Sequence, residues 1–318
     1  MSLKKVLNVL KKNHSFLISA HVNLEGDALG SELALARLLK KQGKKVYVVN
    51  QDKAPLLYDF MPDIRTIQNP GSLKLDFDVA MIVYCTDLER IGSVKKLIGK
   101  GTPVVNIDHH ISNNKFGDVK WVNPNASSAS EMVYQIYKQG GFKLDREAAL
   151  LLYTGIMIDT GSFRYSNTNT YTHSVIADLL KYKLSVEKIH NQVYSCLPLK
   201  EIKLLTRLLT GFKIDKSKKI VWLTLRCGVI NEENMKTDVT EYVFDFLRSI
   251  AGIEVAMIFR EVDKNKVRVN FRSNGRVNVS RLAGKFGGGG HLCASGCTVI
   301  ADLKTAQRLV LSSVRKAL

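Results

Sequence analysis

The chain has 318 residues, which at roughly 150 per domain makes about two domains. A hydrophobic fraction of 45%, a charged fraction of 24%, 22 Gly and 6 Pro exclude a collagen, a disordered tail and a coiled coil and suit an α/β protein. Lys plus Arg number 47 against 29 Asp plus Glu, a formal +18, so the surface should attract polyanions such as nucleotides, oligonucleotides or phosphorylated metabolites. Five cysteines, Cys85, Cys196, Cys227, Cys293 and Cys297, form no regular framework and are odd in number, which predicts a reducing, cytoplasmic setting without disulfides. No apolar leader precedes a small-residue cleavage site and no window reaches 18 consecutive apolar residues, so no membrane association is expected.

Along the first half, Phe16–Ala20, Val46–Asn50, Asp78–Tyr84 and Pro103–Ile107 are short apolar, β-branched runs bounded by Gly, Pro, Asn or charged residues. Such runs predict strands buried on both faces. Helical patterns at Gly30–Lys41 and Leu88–Ile98 lie between them. Strand, helix, strand at this spacing predicts an α/β, doubly wound parallel sheet, with ligands at the carboxyl ends of its strands. Helices follow at Ala129–Lys138, Arg146–Ile158, Tyr171–Leu180, Val186–Val193 and Ile202–Leu209. After Thr210, strand-like runs at Ile220–Leu225, Ile253–Arg260 and Lys266–Phe271 mix with helical ones at Glu241–Ala251, Val279–Lys285 and Lys304–Arg315. The chain therefore reads as a first domain over 1–190, a helical linker over 191–212 and a smaller α+β domain over 213–318.

Four segments carry candidate chemistry. His21-Val-Asn-Leu-Glu25-Gly-Asp27 follows the first strand, so an imidazole and two carboxylates fall within seven residues at the carboxyl edge of the sheet. A hard divalent cation such as manganese or magnesium takes such ligands, and Gly26 would let both acids turn inward. Asp27 could equally cap the helix that follows. Asp108-His109-His110 comes after the fourth strand; one histidine could bind metal and the other an anionic substrate while the aspartate orients an imidazole, or the two could form a buried hydrogen-bonded pair. Asp159 sits in the middle of a largely apolar helical pattern, where a carboxylate needs a cation, an arginine or a cap, unless the helix turns out at Gly161.

The fourth segment is Phe271-Arg272-Ser273-Asn274 with Lys285-Phe-Gly287-Gly288-Gly289-Gly290-His291. Its glycines admit backbone N–H groups to phosphate oxygens beside Arg272, Lys285 and His291, although it matches neither nucleotide-binding fingerprint and a flexible linker would also use such a run. His291, Cys293 and Cys297 lack a fourth zinc ligand, which leaves the cysteines as packing residues.

Taken together and in this order, the segments resemble the DHH phosphoesterase family, in its short-chain bacterial branch of oligoribonucleases that also cleave adenosine-3',5'-bisphosphate (pAp). His21 to Ser31 is similar to the family's first motif, Asp108 to His110 to the motif that names it, and Ile158 to Arg164 to the fourth; Arg272 to Gly296 resembles the DHH-associated substrate domain. The resemblance implies a two-manganese hydrolase with its site between the domains. By position, His21 and Glu25 would hold one ion and Asp27, His109 and Asp159 the other. His110, oriented by Asp108, would contact the scissile phosphate, and Arg272, Ser273, Gly288, Gly289, Gly290 and His291 would hold the substrate. Activated water would attack phosphorus in line, with the cations offsetting charge on the oxygens. The implied partners are short RNA oligonucleotides, pAp or other nucleotides, and a homodimer is left open.

Two departures bear on that expectation. Glu25 stands where the family's first motif has aspartate, a substitution that preserves a carboxylate. Tyr84 stands where the second motif begins with an aspartate that bridges both metals, and a phenol with a pKa of about 10 does not replace a carboxylate bridge. The first metal site should then be weak or empty, leaving one ion, unless Asp87 or the substrate fills the gap; capping the run from Leu88 is the simpler role for Asp87. The expected activity is hydrolysis of short oligoribonucleotides to mononucleotides and of pAp to AMP. The alternatives are a cyclic-dinucleotide phosphodiesterase and a weakened member that binds nucleotide or RNA.

Overall fold

The computed structural model describes residues 2–195, 197–228 and 239–318. The chain divides into two compact units, Met1–Cys196 and Leu197–Leu318. In the first, the elements run α1 (Ser2–Lys12), β1 (Ser15–Ser19), α2 (Gly26–Lys41), β2 (Lys45–Val48), β3 (Val79–Val83), β4 (Val104–Asp108), β5 (Val119–Val122), α3 (Ala129–Gln139), α4 (Arg146–Asp159), α5 (Thr170–Leu180) and α6 (Val186–Tyr194).

The expected α/β architecture is present: five strands form an all-parallel sheet in the order β2-β1-β3-β4-β5. Every residue of β3 and β4 is buried; β3 is accordingly apolar throughout, while β4 carries Asn106 and Asp108 among its apolar residues. On one face Phe16 and Ile18 pack with Leu33 of α2, Val133 of α3 and Leu152 of α4. On the other, Leu17 and Ile82 pack with Ile91 and Val94. Because β1 lies between β2 and β3, chain order reverses there and a crevice opens at the carboxyl ends of β1 and β3.

Local readings needed correction at several points. The run expected as a helix over Leu88–Ile98 is a 3-10 segment, Leu88–Leu97, broken at Gly92 with φ 62° and ψ −135°. A Cβ there would fall 2.1 Å from Gln51 Oε1, the atom that accepts from the Ser93 amide at 2.8 Å, so a glycine lets this side chain cap the bend. Neither α1 nor β5 is marked in the pattern reading. Leu3, Val6 and Leu10 of α1 are buried at helical spacing, and β5 is a four-residue edge strand whose Lys120 faces out.

The second unit runs α7 (Leu199–Leu209), β6 (Lys213–Ile214), β7 (Ile220–Leu225), α8 (Val239–Ser249), β8 (Val255–Asp263), β9 (Lys266–Ser273), α9 (Val279–Gly284), β10 (Gly289–Gly290), β11 (Ala294–Val299) and α10 (Leu303–Arg315). Its sheet has the order β10-β11-β9-β8-β7-β6, with β7 and β8 parallel and the other pairs antiparallel. One face packs Leu223 and Ile258 against Val243 and Leu247 of α8; the other packs Met257, Phe259 and Val269 against Val310 and Val314 of α10. Helix α7 falls in the stretch 191–212, and its Leu205 and Leu208 are buried in the core beneath α8. The strand expected at Ile253–Arg260 starts at Val255 and continues to Asp263.

Cys85, Cys227, Cys293 and Cys297 are free thiols, and Cys196 lies outside the described residues. Among the described residues no helix is long and apolar enough to cross a membrane.

Candidate metal centre at the sheet rim

The rim where β1, β3 and β4 end gathers residues from distant stretches of chain. Asp27 lies in the first turn of α2, His109 directly follows β4, and Asp159 is the last residue of α4 rather than a mid-helix residue as its apolar surroundings suggested. One ligand atom from each of the three lies within 4.8 Å of the others. His109 Nε2 and Asp159 Oδ2 are 3.3 Å apart.

Asp27 does not cap its own helix. Its Oδ2 accepts from the Ala129 amide at 2.6 Å and its Oδ1 from the Ser130 amide at 2.8 Å, so the carboxylate meets the positive end of α3. The approach of α4 to this point requires Gly155: a Cβ there would stand 2.0 Å from Ser130 Oγ and 2.9 Å from Asp27 Oδ1. Burial pushes the Asp27 carboxyl above its ordinary pKa, opposed by His109 and the α3 amides. Asp159 is likewise pushed up by burial, to about 6, with Asp27 adding to the rise and His109 opposing it. Burial would lower the His109 pKa, but Asp159, Asp27 and Asp108 outweigh it and the net shift is upward.

Asp108 and His110 form a second layer. His110 Nδ1 is 2.7 Å from Asp108 Oδ1, and Asn113 donates to Asp108 Oδ2 at 2.6 Å. Burial alone would raise the Asp108 pKa, yet the contacts with His110 and Asn113 hold it down at about 2, so Asp108 is a stable anion that keeps its imidazole in place. The histidines are 5% and 7% exposed. The buried pair and the site residue are therefore one arrangement.

Tyr84 stands at the end of β3 in the middle of this constellation. Its hydroxyl donates to Asp159 Oδ1 at 2.9 Å and is 3.3 Å from Glu25 Oε2. Its ring lies 5.2 Å from that of His21, 5.6 Å from His109 in stacked orientation and 4.7 Å from His110 edge-on. Burial and the surrounding carboxylates raise the phenol pKa far above its ordinary value, so it is neutral and a donor. Its φ of 48° is left-handed, at a strain of about 1–3 kcal/mol for a residue with a side chain. His21 is buried with Nδ1 against the Val22 carbonyl, and burial lowers its pKa. Glu25 is exposed at the N-terminus of α2. Neither joins a group of three donors among the described residues. Asp87 caps the segment from Leu88, accepting from the Glu89 amide at 2.8 Å.

An imidazole with one buried and one half-buried carboxylate suits a hard cation such as manganese or magnesium, because a carboxylate oxygen that accepts one hydrogen bond keeps a second lone pair. Two acids crowded in low dielectric gain from a positive charge between them. Pattern reading missed the supporting polar residues. Asn113 also donates to Asn106 Oδ1 at 3.0 Å, and Asn50 donates to both oxygens of buried Glu32 at 2.8 and 2.9 Å. A polar residue in an apolar strand, such as Asn106, or on the apolar face of a helix, such as Glu32, was the available signal.

In the second unit the glycine-rich segment is not an open loop. Gly289 and Gly290 pair with Gly296 and Ser295. A Cβ at Gly288 would meet the Gly296 carbonyl at 2.2 Å, and Gly290, at φ 140°, has the Ala294 carbonyl at 2.6 Å, so close strand pairing already requires these two glycines. Ser273 is fully buried, with its hydroxyl donating to the Val277 carbonyl at 2.7 Å and accepting from Gly275 at 3.0 Å; its side chain organises the turn after β9. Arg272 is bonded to Glu241, with its guanidinium 4.8 Å from the centre of the Phe244 ring. His291 closes the β10–β11 turn through its amide to Ala294 at 2.7 Å. Cys297 packs in the core, and no zinc-type group includes it among the described residues.

Residues 15–156 match the DHH family, N-terminal domain, and residues 218–316 the DHHA1 domain. The bifunctional oligoribonuclease and PAP phosphatase NrnA of Bacillus subtilis is 29% identical over 95% of this chain and 97% of its own length. The protein of the same name from Thermus thermophilus is 30% identical over 99% of this chain and 94% of its own length. Among solved structures, an exopolyphosphatase-related protein from Bacteroides fragilis superposes with a TM-score of 0.89 at 25% identity, covering 99% of this chain and 96% of that one. With its naming Asp-His-His at the end of β4 and a DHHA1 domain behind it, this chain belongs to the DHH phosphoesterase family.

Proposed function

We propose that this protein is a cation-dependent phosphoesterase that hydrolyses short oligoribonucleotides to mononucleotides and pAp to AMP. The observation that carries this reading is the convergence of Asp27, His109 and Asp159 beside the Asp108–His110 pair, in a chain whose full-length relatives bear those activities in their names. A bound manganese or magnesium ion would polarise a phosphoryl oxygen and lower the pKa of water nearby. Asp27, His109 and Asp159 would hold it. The α3 amides and the glycine contact at position 155 fix Asp27, while Asp108 holds the His110 imidazole so that its far nitrogen can meet a phosphate oxygen. The +18 charge of the chain favours anionic substrates. Arg272 and His291 remain the candidate substrate contacts of the second unit, whereas Ser273 and the glycines at 288 and 290 would act there by shaping the strand turn.

Tyr84 limits the site to one ion in this reading, because a neutral phenol bonded to Asp159 and facing Glu25 takes the place of a bridging anion. The same contacts favour a second reading, a weakened member that binds nucleotide without efficient turnover. One panel separates them: metal content, hydrolysis of pAp, of di- to pentanucleotides and of cyclic di-AMP, and binding of the same ligands with and without manganese. Manganese-dependent release of mononucleotides or AMP supports the phosphoesterase. Tight, metal-independent binding without product supports the binder, and preferential opening of cyclic di-AMP reassigns the substrate.

A further inference from the structure

We propose that Arg90 binds phosphate oxygens of the nucleotide substrate on the His21 side of the metal centre. The Arg90 carbonyl accepts from the Val22 amide at 2.8 Å, so this residue stands beside the turn that carries His21. Its Nη1 donates to Thr86 Oγ1 at 3.1 Å, two residues beyond Tyr84 on the loop that leaves β3. Arg90 is thereby tied to the loops that follow β1 and β3, the two strands whose ends form the crevice. The His21 ring is 5.2 Å from that of Tyr84, whose hydroxyl reaches Asp159, so the same rim leads to the three candidate ligands. The guanidinium charge is felt at His21: burial is the main cause of its lowered pKa, Glu25 opposes the fall and Arg90 adds to it.

Two observations set Arg90 apart from an ordinary surface arginine. Its surroundings are braced by three consecutive residues that follow β2. Asn50 Oδ1 accepts from the Ala20 amide at 3.0 Å, Gln51 Oε1 from the Ser93 amide at 2.8 Å and Asp52 Oδ2 from the Asn23 amide at 2.6 Å, which fixes the His21 turn and the segment carrying Arg90 together. The second observation is unspent charge. The acids of its own segment are engaged elsewhere: Glu89 pairs with Lys95, and Asp87 accepts from the Glu89 amide and from Asn114. Among the described residues Arg90 forms no ion pair, and its side chain donates to one neutral hydroxyl. An exposed guanidinium with one N–H in use keeps donors for two oxygens of a phosphate. The inference rests on the phosphoesterase reading for the nature of the anion, and nothing in that reading assigns Arg90. With Tyr84 neutral, this guanidinium supplies fixed positive charge where His21 and Glu25 stand.

The test uses the full chain. Calorimetry in EDTA, where cation-dependent turnover is off, compares pAp binding by wild type, Arg90→Ala and Arg90→Lys, with adenosine as the ligand that lacks phosphate. Arg90→Ala should bind pAp about tenfold more weakly and adenosine within about twofold of wild type, and Arg90→Lys, which keeps the charge without the fork, should fall between. Guanidinium ion below its denaturing range should restore pAp binding to Arg90→Ala, whereas urea and potassium chloride at the same concentration should not. With manganese present, the KM for pAp should rise about tenfold in Arg90→Ala while kcat stays within about threefold. Should Arg90→Ala melt early, Arg90→Lys supplies the comparison. Wild-type pAp affinity in both folded variants overturns the proposal, as does an equal loss for adenosine or a loss confined to kcat. If pAp binding depends on Arg90 but manganese brings no hydrolysis, the enzymatic reading fails alone; if hydrolysis proceeds and binding ignores Arg90, this inference fails alone.

Discussion

The Tyr84 hydroxyl donates to Asp159 Oδ1 at 2.9 Å and lies 3.3 Å from Glu25 Oε2, so one phenol links the end of α4 to the N-terminus of α2 across the rim of the sheet. A neutral donor between two carboxylates does what a cation would do there, more weakly. Replacing it with an acid, Tyr84→Asp, should raise bound manganese from one ion per chain to two, as counted by plasma mass spectrometry after dialysis, and should raise pAp turnover. Tyr84→Phe removes only the hydrogen bonds and should stay at one ion, with a loss of about 1–2 kcal/mol in urea titration. An unchanged count in Tyr84→Asp would show that Tyr84 does not set the number of ions bound.

On the proposed reading Asp27 serves two purposes at once, receiving the α3 amides and holding the ion, and its amide variant should reveal both. Asp27→Asn keeps one oxygen for the α3 amides but loses the charge, so we expect about 1–2 kcal/mol of lost stability together with a fall in turnover of at least about 100-fold. Added manganese should raise the wild-type melting temperature by mass action and leave that of Asp27→Asn where it is. An equal thermal shift in both proteins would place the ion elsewhere.

Asp108 should act through His110. In Asp108→Asn the anion that fixes the imidazole is gone, and we expect a 10- to 100-fold drop in turnover, roughly as for other residues that orient a functional histidine. The drop should fall on kcat rather than KM and should shift the pH profile, which a general loss of stability would not do. His110→Ala combined with Asp108→Asn should be little worse than His110→Ala alone.

Glu32 predicts a pH-dependent stability. Its buried carboxyl, hydrogen-bonded by Asn50, is pushed by burial from 4.5 up to about 8. The folded state therefore keeps a proton that the unfolded chain releases. Its contribution is fully present below pH 4.5 and is lost as pH rises through about 8, at up to about 1.4 kcal/mol per pH unit. Denaturant midpoints measured at pH 5.5, 7 and 8.5 should fall for wild type relative to Glu32→Gln, and parallel curves would show that Glu32 is ionised in the fold.

The parallel sheet was legible from its residues because strands buried on both faces must be largely apolar, as β3 is throughout and β4 is apart from Asn106 and Asp108. The motif residues were legible too, because a turn at a strand's carboxyl end delivers its side chains to the rim whatever follows. Spacing alone could not tell which helix Asp27 caps. Its amide partners lie more than 100 positions away, and only the packing of α4 onto α2 and α3, at Gly155, brings them within reach. Nor could it show that Ser273 is sealed in a turn or that Gly288 and Gly290 are demanded by strand pairing. Local rules record what each residue can do with its neighbours in the chain. Whether a tyrosine at the end of β3 blocks a site or merely lines it depends on distances between segments that meet only after the core has closed.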